Sequence, residues 1–298
     1  MSLYLVDGTF ELFRAYYAMP PMYAPDGRPV AAVRGLLQTL ITLAHDDDVT
    51  HLACAFDHVI ESFRNRLFDG YKTGEGVPDD LASQFHLAER AASTLGMVVW
   101  PMVEFEADDA IATAAARWCG GQEAGRVVIC SPDKDLAQMV RGDRVVCLDR
   151  RRETVLDEAG VREKFGVEPR SIPDYLALVG DANDGIPGVP RWGAGTSARL
   201  LSCYGHIENI PPDPAEWDVA VRGAAAASAS LEGHRERAAL YKLLATLRTD
   251  APIEERLEDL RWTGVLREPF RELCGELGFQ ALVDQPRRWR DAEDRSLP

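Results

Sequence analysis

The chain has 298 residues, 46% of them hydrophobic, and a formal net charge of −15. That apolar content suffices for a packed core and excludes a disordered chain, and no apolar run approaches the roughly 20 residues needed to cross a bilayer. Taken alone, the acidic balance argues against a nucleic-acid partner; the objection weakens only if many acids belong to a metal site and the basic residues are localised.

The opening stretch MSLYLVDGTF has no basic segment followed by an apolar one, so no signal peptide is read and a cytoplasmic protein is expected. The cysteines (54, 119, 130, 147, 203 and 274) form no CxxC pair and read as buried reduced thiols rather than zinc ligands. The six histidines do not cluster along the chain, so no Ser-His or Cys-His chemistry is expected. Lysine is scarce, at positions 72, 134, 164 and 242.

In chain order, strands are predicted at 3–7 (LYLVD), 51–57 (HLACAFD), 97–101, 126–131 and 144–149. They are rich in Val, Ile, Leu and Cys without strict alternation, as in strands covered on both faces. Helices are predicted between them at about 31–45, 79–95, 108–118 and 134–140, which makes the first half an α/β arrangement with a mainly parallel central sheet flanked by helices. From about residue 158 the pattern turns helical, at 158–165, 172–179, 196–203, 232–247 and 268–277. Two Gly/Pro-rich stretches punctuate it, GDANDGIPGVPRWGAG and YGHIENIPPDPAEW. The chain is split near 155–165.

The acids follow a rule. In parallel sheets, ligands bind beyond the carboxyl ends of the strands. Asp7 ends the first strand, Asp57 the second, and Asp133 and Asp135 follow the fourth; Glu106, Asp108 and Asp109 open the helix after the third. Read alone, EFEADD is more simply a helix start whose acids the dipole favours, with Asp108 as an N-cap and Ile111, Ala114, Ala115 and Trp118 as its buried stripe. Independent turns, however, have no reason to place every acid at one sheet edge. Asp181 and Asp184 in GDANDG add a second acidic pair, read alone as an ordinary turn as readily as a ligand set. Oxygen donors without His or Cys suit Mg²⁺ or Mn²⁺. Many carboxylates in one cleft suit two cations about 3.5–4 Å apart that clamp a phosphodiester.

The segments VDGTFELFRAYYAMP, AFDHVIESFRNRLFDGYKTGEGVPDDL, EFEADDAIAT, CSPDKDLAQMV and DYLALVGDANDGIPGVP stand in an order that resembles the 5′-nuclease (flap endonuclease) family, closest to the 5′→3′ exonuclease domain of bacterial DNA polymerase I. The stretch 221–250 also looks like that family's later DNA-binding segment. No polymerase segment follows, so a stand-alone nuclease is expected. The resemblance implies a PIN-like fold. An α/β metal-dependent nuclease core would span 1–160 with a helical arch at about 60–90, and a helical helix-three-turn-helix subdomain would span 161–290. One metal would be held mainly by Asp7, Asp57, Glu106 and Asp108, with Asp109 in the same cluster. The second would involve Asp133, Asp135, Asp181 and Asp184. Lys72 and Arg14 would engage the scissile phosphate, with Arg64 beside them on the arch. The hairpin at 186–201, with Gly188, Val189, Arg191, Gly193, Gly195 and Thr196, would offer backbone N–H groups to duplex phosphates, together with a K⁺ ion.

The implied activity is Mg²⁺-dependent hydrolysis of DNA by a structure-specific 5′ nuclease in replication and repair, with two or more Mg²⁺ ions and Mn²⁺ as a substitute. The implied partners are DNA with a 5′ flap, a nick or a 5′ end, and an RNA primer in an RNA–DNA hybrid. A monomer acting away from membranes is expected. The chain departs from the family pattern in five places, one of them the AAAAS run, which lacks a basic residue that relatives often carry. The arch segment YKTGEGVP is one residue short and lacks the usual arginine after the lysine. Gly185 replaces an Asn. Arg191 stands where a small residue is usual, and Gly195 where Lys is usual. Weaker duplex affinity is therefore expected. Two other readings compete. A catalytically weak DNA-binding protein of the same fold would have to keep mutually repulsive acids without a metal, at a cost. A haloacid-dehalogenase-type phosphatase would need an Asp where Leu5 stands.

Overall fold

The computed structural model describes residues 1–119 and 125–290. In chain order the elements are β1 (Ser2–Asp7), α1 (Gly8–Ala18), α2 (Ala31–Ala44), β2 (His51–Asp57), α3 (Asp79–Ala82), α4 (Phe85–Thr94), β3 (Val98–Met102), α5 (Ala107–Trp118) and β4 (Arg126–Cys130). There follow β5 (Val145–Asp149), β6 (Thr154–Leu156), α6 (Glu158–Phe165), α7 (Ile172–Val179), α8 (Ala194–Tyr204), α9 (Ala224–Glu232), α10 (Arg235–Ala245), β7 (Val265–Leu266), α11 (Arg267–Leu277) and β8 (Trp289–Arg290). The chain forms two compact units.

The first unit takes Met1–Ile60, Gly74–Cys130 and the stretch from Asp250 onward. Its sheet runs β3-β2-β1-β4, every pair parallel. Leu3, Leu5 and Val6 of β1 and Ala53, Cys54 and Ala55 of β2 are all buried, which is why these strands lack alternation. Helix α5 packs along β1, β2 and β3. Its Ala110, Ala112 and Ala114 are buried, and such small side chains let the helix lie close to the sheet. Ile111, Ala115 and Trp118 are buried with them, as the predicted stripe requires. Helices α1, α2 and α4 pack on one another.

The second unit takes Glu61–Thr73 and Ser131–Thr249. It holds the antiparallel pair β5–β6, the helices α6 to α10 and several 3₁₀ turns, among them Phe63–Arg66 and Asp135–Met139. Helix α7 packs on α10 and α8 through Ile172, Leu176, Ala177 and Leu178. It also buries Asp174, whose carboxylate meets Lys242 Nζ at 2.8 Å and His206 Nδ1 at 2.9 Å.

Four expectations about elements change. Helix α1 has no counterpart in the predicted set, because its buried face is Gly8, Glu11, Leu12 and Ala15 and carries one large apolar residue. The predicted helix at 134–140 closes instead as a short 3₁₀ turn, with Asp133 Oδ1 accepting from Asp135 N–H at its start. The predicted helix at 79–95 is two helices, α3 and α4, and the one at 232–247 is α10, which begins only after Gly233 and His234. The AAAASAS run is itself helical, as alanine's propensity favours.

Candidate active site

In the first unit the acids stand at the carboxyl ends of paired strands. Asp7 is the last residue of β1 and Asp57 the last of β2, and parallel pairing sets Asp7 opposite Ala55 and Asp57 opposite Met102. Asp7 is buried and caps α1, its Oδ1 accepting from Phe10 N–H at 2.8 Å. Asp57 Oδ1 accepts from Ala107 N–H at 2.8 Å, at the start of α5, and Thr9 Oγ1 accepts from Asp57 N–H at 2.7 Å. A side chain at Gly8 would run into the Phe56 ring, with a Cβ only 2.4 Å from Cε1, so the close approach of α1 to β2 needs glycine there.

EFEADD opens α5 with a reciprocal cap. Glu106 is the N-cap residue, its carboxylate accepting from Asp109 N–H while Asp109 Oδ2 accepts from Glu106 N–H at 3.0 Å. The N-cap is thus Glu106 and not Asp108. Glu106 and Asp109 are buried, Asp108 is half-buried and Glu104 is exposed.

In the second unit Asp133, Asp135, Asp181 and Asp184 come together with two lysines. Lys72 Nζ lies 3.1 Å from Asp184 Oδ1, and Lys134 Nζ lies 2.8 Å from Asp181 Oδ1. Carboxylate oxygens of Asp135, Asp181 and Asp184 fall within 4.8 Å of one another. Asp135 is buried, and its Oδ1 accepts no hydrogen bond among the described residues. Burial pushes the Asp135 carboxyl well above its ordinary range, and repulsion from Asp133, Asp184 and Asp181 adds to the shift. Burial likewise raises Asp133, against an opposing hydrogen bond from the Asp135 N–H. Burial pulls the Lys134 ammonium down, but its bond to Asp181 outweighs this and holds it above the usual lysine range. Buried acids of raised pKa beside an orphaned oxygen suit a divalent cation of the hard, oxygen-preferring kind.

Lys134 is a member of this cluster that sequence reasoning did not single out. The available signal was its place between two predicted ligands in SPDKDL.

The remaining predicted residues are dispersed. Arg14 pairs with Glu11 on α1 and donates to Thr39 Oγ1 at 3.2 Å. Arg64 is fully buried; its Nε donates to the Leu244 carbonyl at 2.8 Å and its Nη2 to that of Thr246 at 3.2 Å, which ties the Phe63–Arg66 turn to the end of α10. In the hairpin, Val189 is buried and spends its N–H on the Leu178 carbonyl at 2.8 Å, so that amide is not offered to phosphate. Gly188 and Arg191 both have left-handed backbone, at φ 78° and 72°. Gly193 caps α8, and Gly195 and Thr196 lie in its first turn, with Gly193 and Gly195 exposed. First-turn N–H groups of a helix attract anions. Trp192 is buried and donates from Nε1 to the Ala227 carbonyl at 3.0 Å, which assigns it to packing.

Residues 2–166 match the family described as 5′-3′ exonuclease, N-terminal resolvase-like domain, and residues 167–268 match 5′-3′ exonuclease, C-terminal SAM fold. The chain belongs to the 5′-3′ exonuclease family. It is 32% identical over 298 residues to a 5′-3′ exonuclease of Aquifex aeolicus, covering 99% of both chains. It is 34% identical over 300 residues to DNA polymerase I of Bacillus caldotenax, covering 99% of this chain and 33% of that protein. It therefore spans about a third of the polymerase relatives it matches. Among solved structures, the 5′-exonuclease of bacteriophage T5, described with bound divalent metal ions (zinc), shares the fold at a TM-score of 0.66. That match has 18% identity and covers 93% of this chain and 100% of the other.

Proposed function

We propose that the chain is a divalent-metal-dependent, structure-specific 5′ nuclease that hydrolyses DNA phosphodiesters. The observation that carries this reading is the cluster of buried Asp135, Asp181 and Asp184 with half-buried Asp133 beside them and Lys72 and Lys134 paired into it. Four acids cost free energy when collected without a compensating cation. At about 4 Å and an effective dielectric near 20, each like-charge pair opposes the fold by roughly 4 kcal/mol.

Mg²⁺ is the proposed cofactor, two or more ions, with Mn²⁺ able to replace it. Asp133, Asp135, Asp181 and Asp184 would hold one ion, and Asp7, Asp57, Glu106 and Asp108 another. Asp109, locked in the α5 cap, would position Glu106. When bound, such cations neutralise the phosphate and make water nucleophilic at neutral pH. Lys72 would bind and orient the scissile phosphate. Lys134, 2.8 Å from Asp181 Oδ1, would hold that carboxylate in place for metal binding. Arg14, half-buried against Glu11, would join the phosphate contacts only by leaving that pair. Arg64 serves the site through packing, by placing the segment that carries Lys72.

The first turn of α8, with Gly193, Gly195, Thr196 and the exposed Arg191, would receive duplex phosphates, with a K⁺ ion at the hairpin. The proposed substrates are DNA with a 5′ flap, a nick or a 5′ end, and an RNA primer in an RNA–DNA hybrid. We also assign a nuclease core to 1–160 and a DNA-binding part to 161–290, and place the protein, as a monomer, in the cytoplasm. Among the described residues no helix is long and apolar enough to cross a membrane.

The test is cleavage of a 5′-labelled flap with Mg²⁺. Cutting that EDTA abolishes supports the reading. Binding of the flap without cutting it, in Mg²⁺ or Mn²⁺, would favour a DNA-binding protein of the same fold.

A further inference from the structure

Histidines that are far apart in the chain meet in the first unit. His58 directly follows β2, and its backbone N–H donates to the Met102 carbonyl at 2.8 Å. His86 and Glu89 stand one turn apart on α4. The two imidazole centroids are 4.3 Å apart. His58 Nδ1 lies 2.9 Å from Glu89 Oε1 and 3.1 Å from Oε2, and His86 Nδ1 lies 3.9 Å from Glu89 Oε2. One donor atom from each of the three residues falls within 4.8 Å of the others.

We propose that His58, His86 and Glu89 form a binding site for a divalent cation of the Zn²⁺ class, chemically distinct from the all-carboxylate sets. Two imidazoles and a carboxylate are the donor set that Zn²⁺ and its transition-metal neighbours prefer, whereas Mg²⁺ takes oxygen. Zinc–ligand bonds near 2.0–2.1 Å in a tetrahedron put neighbouring donors about 3.4 Å apart. The observed 2.9 and 3.9 Å separations bracket that value, so small side-chain shifts would suffice. Glu89 is largely buried and gives the site a fixed member, while His86, with 69% of its side chain exposed, leaves it open to solvent. A simple His58–Glu89 hydrogen bond accounts for one imidazole. It gives no reason for a second, exposed imidazole to stand against the first and reach the same carboxylate.

A bound cation would tie the residue after Asp57 to the start of α4. With three protein ligands the site keeps a fourth position for water, as in zinc sites of the open kind.

The experiment uses the full chain with Mg²⁺ in excess to fill the oxygen sites. One equivalent of Cu²⁺ is added and its electron paramagnetic resonance spectrum recorded; Zn²⁺ affinity is then measured by competition with a chromogenic chelator. The proposal expects hyperfine coupling from two nitrogens in the unaltered protein, and from no more than one in His86→Ala. It expects Zn²⁺ affinity to fall by at least about tenfold in His86→Ala and Glu89→Gln, the lower end of what losing even an outer-sphere partner costs. His86 is exposed, so its removal leaves the fold in place. A Cu²⁺ spectrum without nitrogen coupling in the unaltered protein would overturn the proposal. So would Zn²⁺ affinities unchanged in both variants.

Discussion

Lys72 is tied to Asp184 twice: its Nζ lies 3.1 Å from Asp184 Oδ1, and its backbone N–H donates to the Asp184 carbonyl at 3.1 Å. The Asn65 side chain holds the Lys72 carbonyl at 2.8 Å from the other side. The backbone contacts therefore fix the position, and the ammonium supplies the charge. Lys72→Ala should keep the fold, with a stability loss under about 1 kcal/mol, because the pair is partly exposed. It should lower the single-turnover cleavage rate by on the order of 10²-fold, as loss of one preorganised electrostatic contact does. A rate close to that of the unaltered protein would remove Lys72 from the phosphate contacts.

Gly185, one residue on, stands where the family resemblance implies Asn. Its φ is 73°, and a Cβ there would lie 2.0 Å from the Gly70 carbonyl oxygen. That carbonyl lies two residues before Lys72, so a side chain at 185 would press on the chain that carries Lys72. Restoring the usual residue as Gly185→Asn should destabilise the protein by about 1–3 kcal/mol, the range for strain forced on a constrained backbone. Chemical denaturation measures it. An Asn variant as stable as the parent would show that the Gly70 segment yields freely.

Arg191 holds a left-handed backbone at φ 72°, where a side chain costs about 1 kcal/mol relative to glycine. Arg191→Gly should therefore leave stability equal or raise it by about 0.5–1 kcal/mol. If the guanidinium meets a phosphate, the same change should weaken duplex binding and reduce the salt slope by about one. Fluorescence anisotropy across a salt series distinguishes a phosphate contact from a merely strained surface residue, which would leave the slope unaltered.

Glu276 bridges two arginines in the first unit, 2.6 Å from Arg90 and 2.5 Å from Arg28. These hydrogen bonds lower its carboxyl from 4.5 to about 2. The folded value lies below the unfolded one, so the stabilisation is fully present above about pH 4.5 and is lost as pH falls toward 2. The group is largely in water, which holds the contribution to about 1 kcal/mol or less. Glu276→Gln should cost that amount at pH 7, and the gap from the parent should narrow below pH 4.5. A gap constant down to pH 3 would contradict the assignment.

The parallel strands were legible to within about a residue, because strands covered on both faces leave near-continuous apolar runs. The acids at their carboxyl ends were legible because parallel sheets present ligands there. Other features depend on contacts that no local pattern encodes. Asp7, Glu106 and Asp109 take part in helix caps, so part of the plain helix-start reading of EFEADD holds. Arg64 looks like a surface arginine in FRNR until the fold buries it against the carbonyls of Leu244 and Thr246. His58 and His86 meet only because α4 returns to the end of β2. Lys134 was visible as a residue, but its partner Asp181 lies far along the chain.

The most direct measurement compares the unaltered protein with Asp135→Asn in Mg²⁺ on a 5′-labelled flap substrate, with the metal-free stability of both recorded alongside. Removing one charge from a buried, mutually repelling set should leave the metal-free fold at least as stable, while cleavage falls to background. Rapid cleavage by Asp135→Asn, or cleavage by the unaltered protein that persists in EDTA, would contradict a metal-dependent nuclease built on these acids.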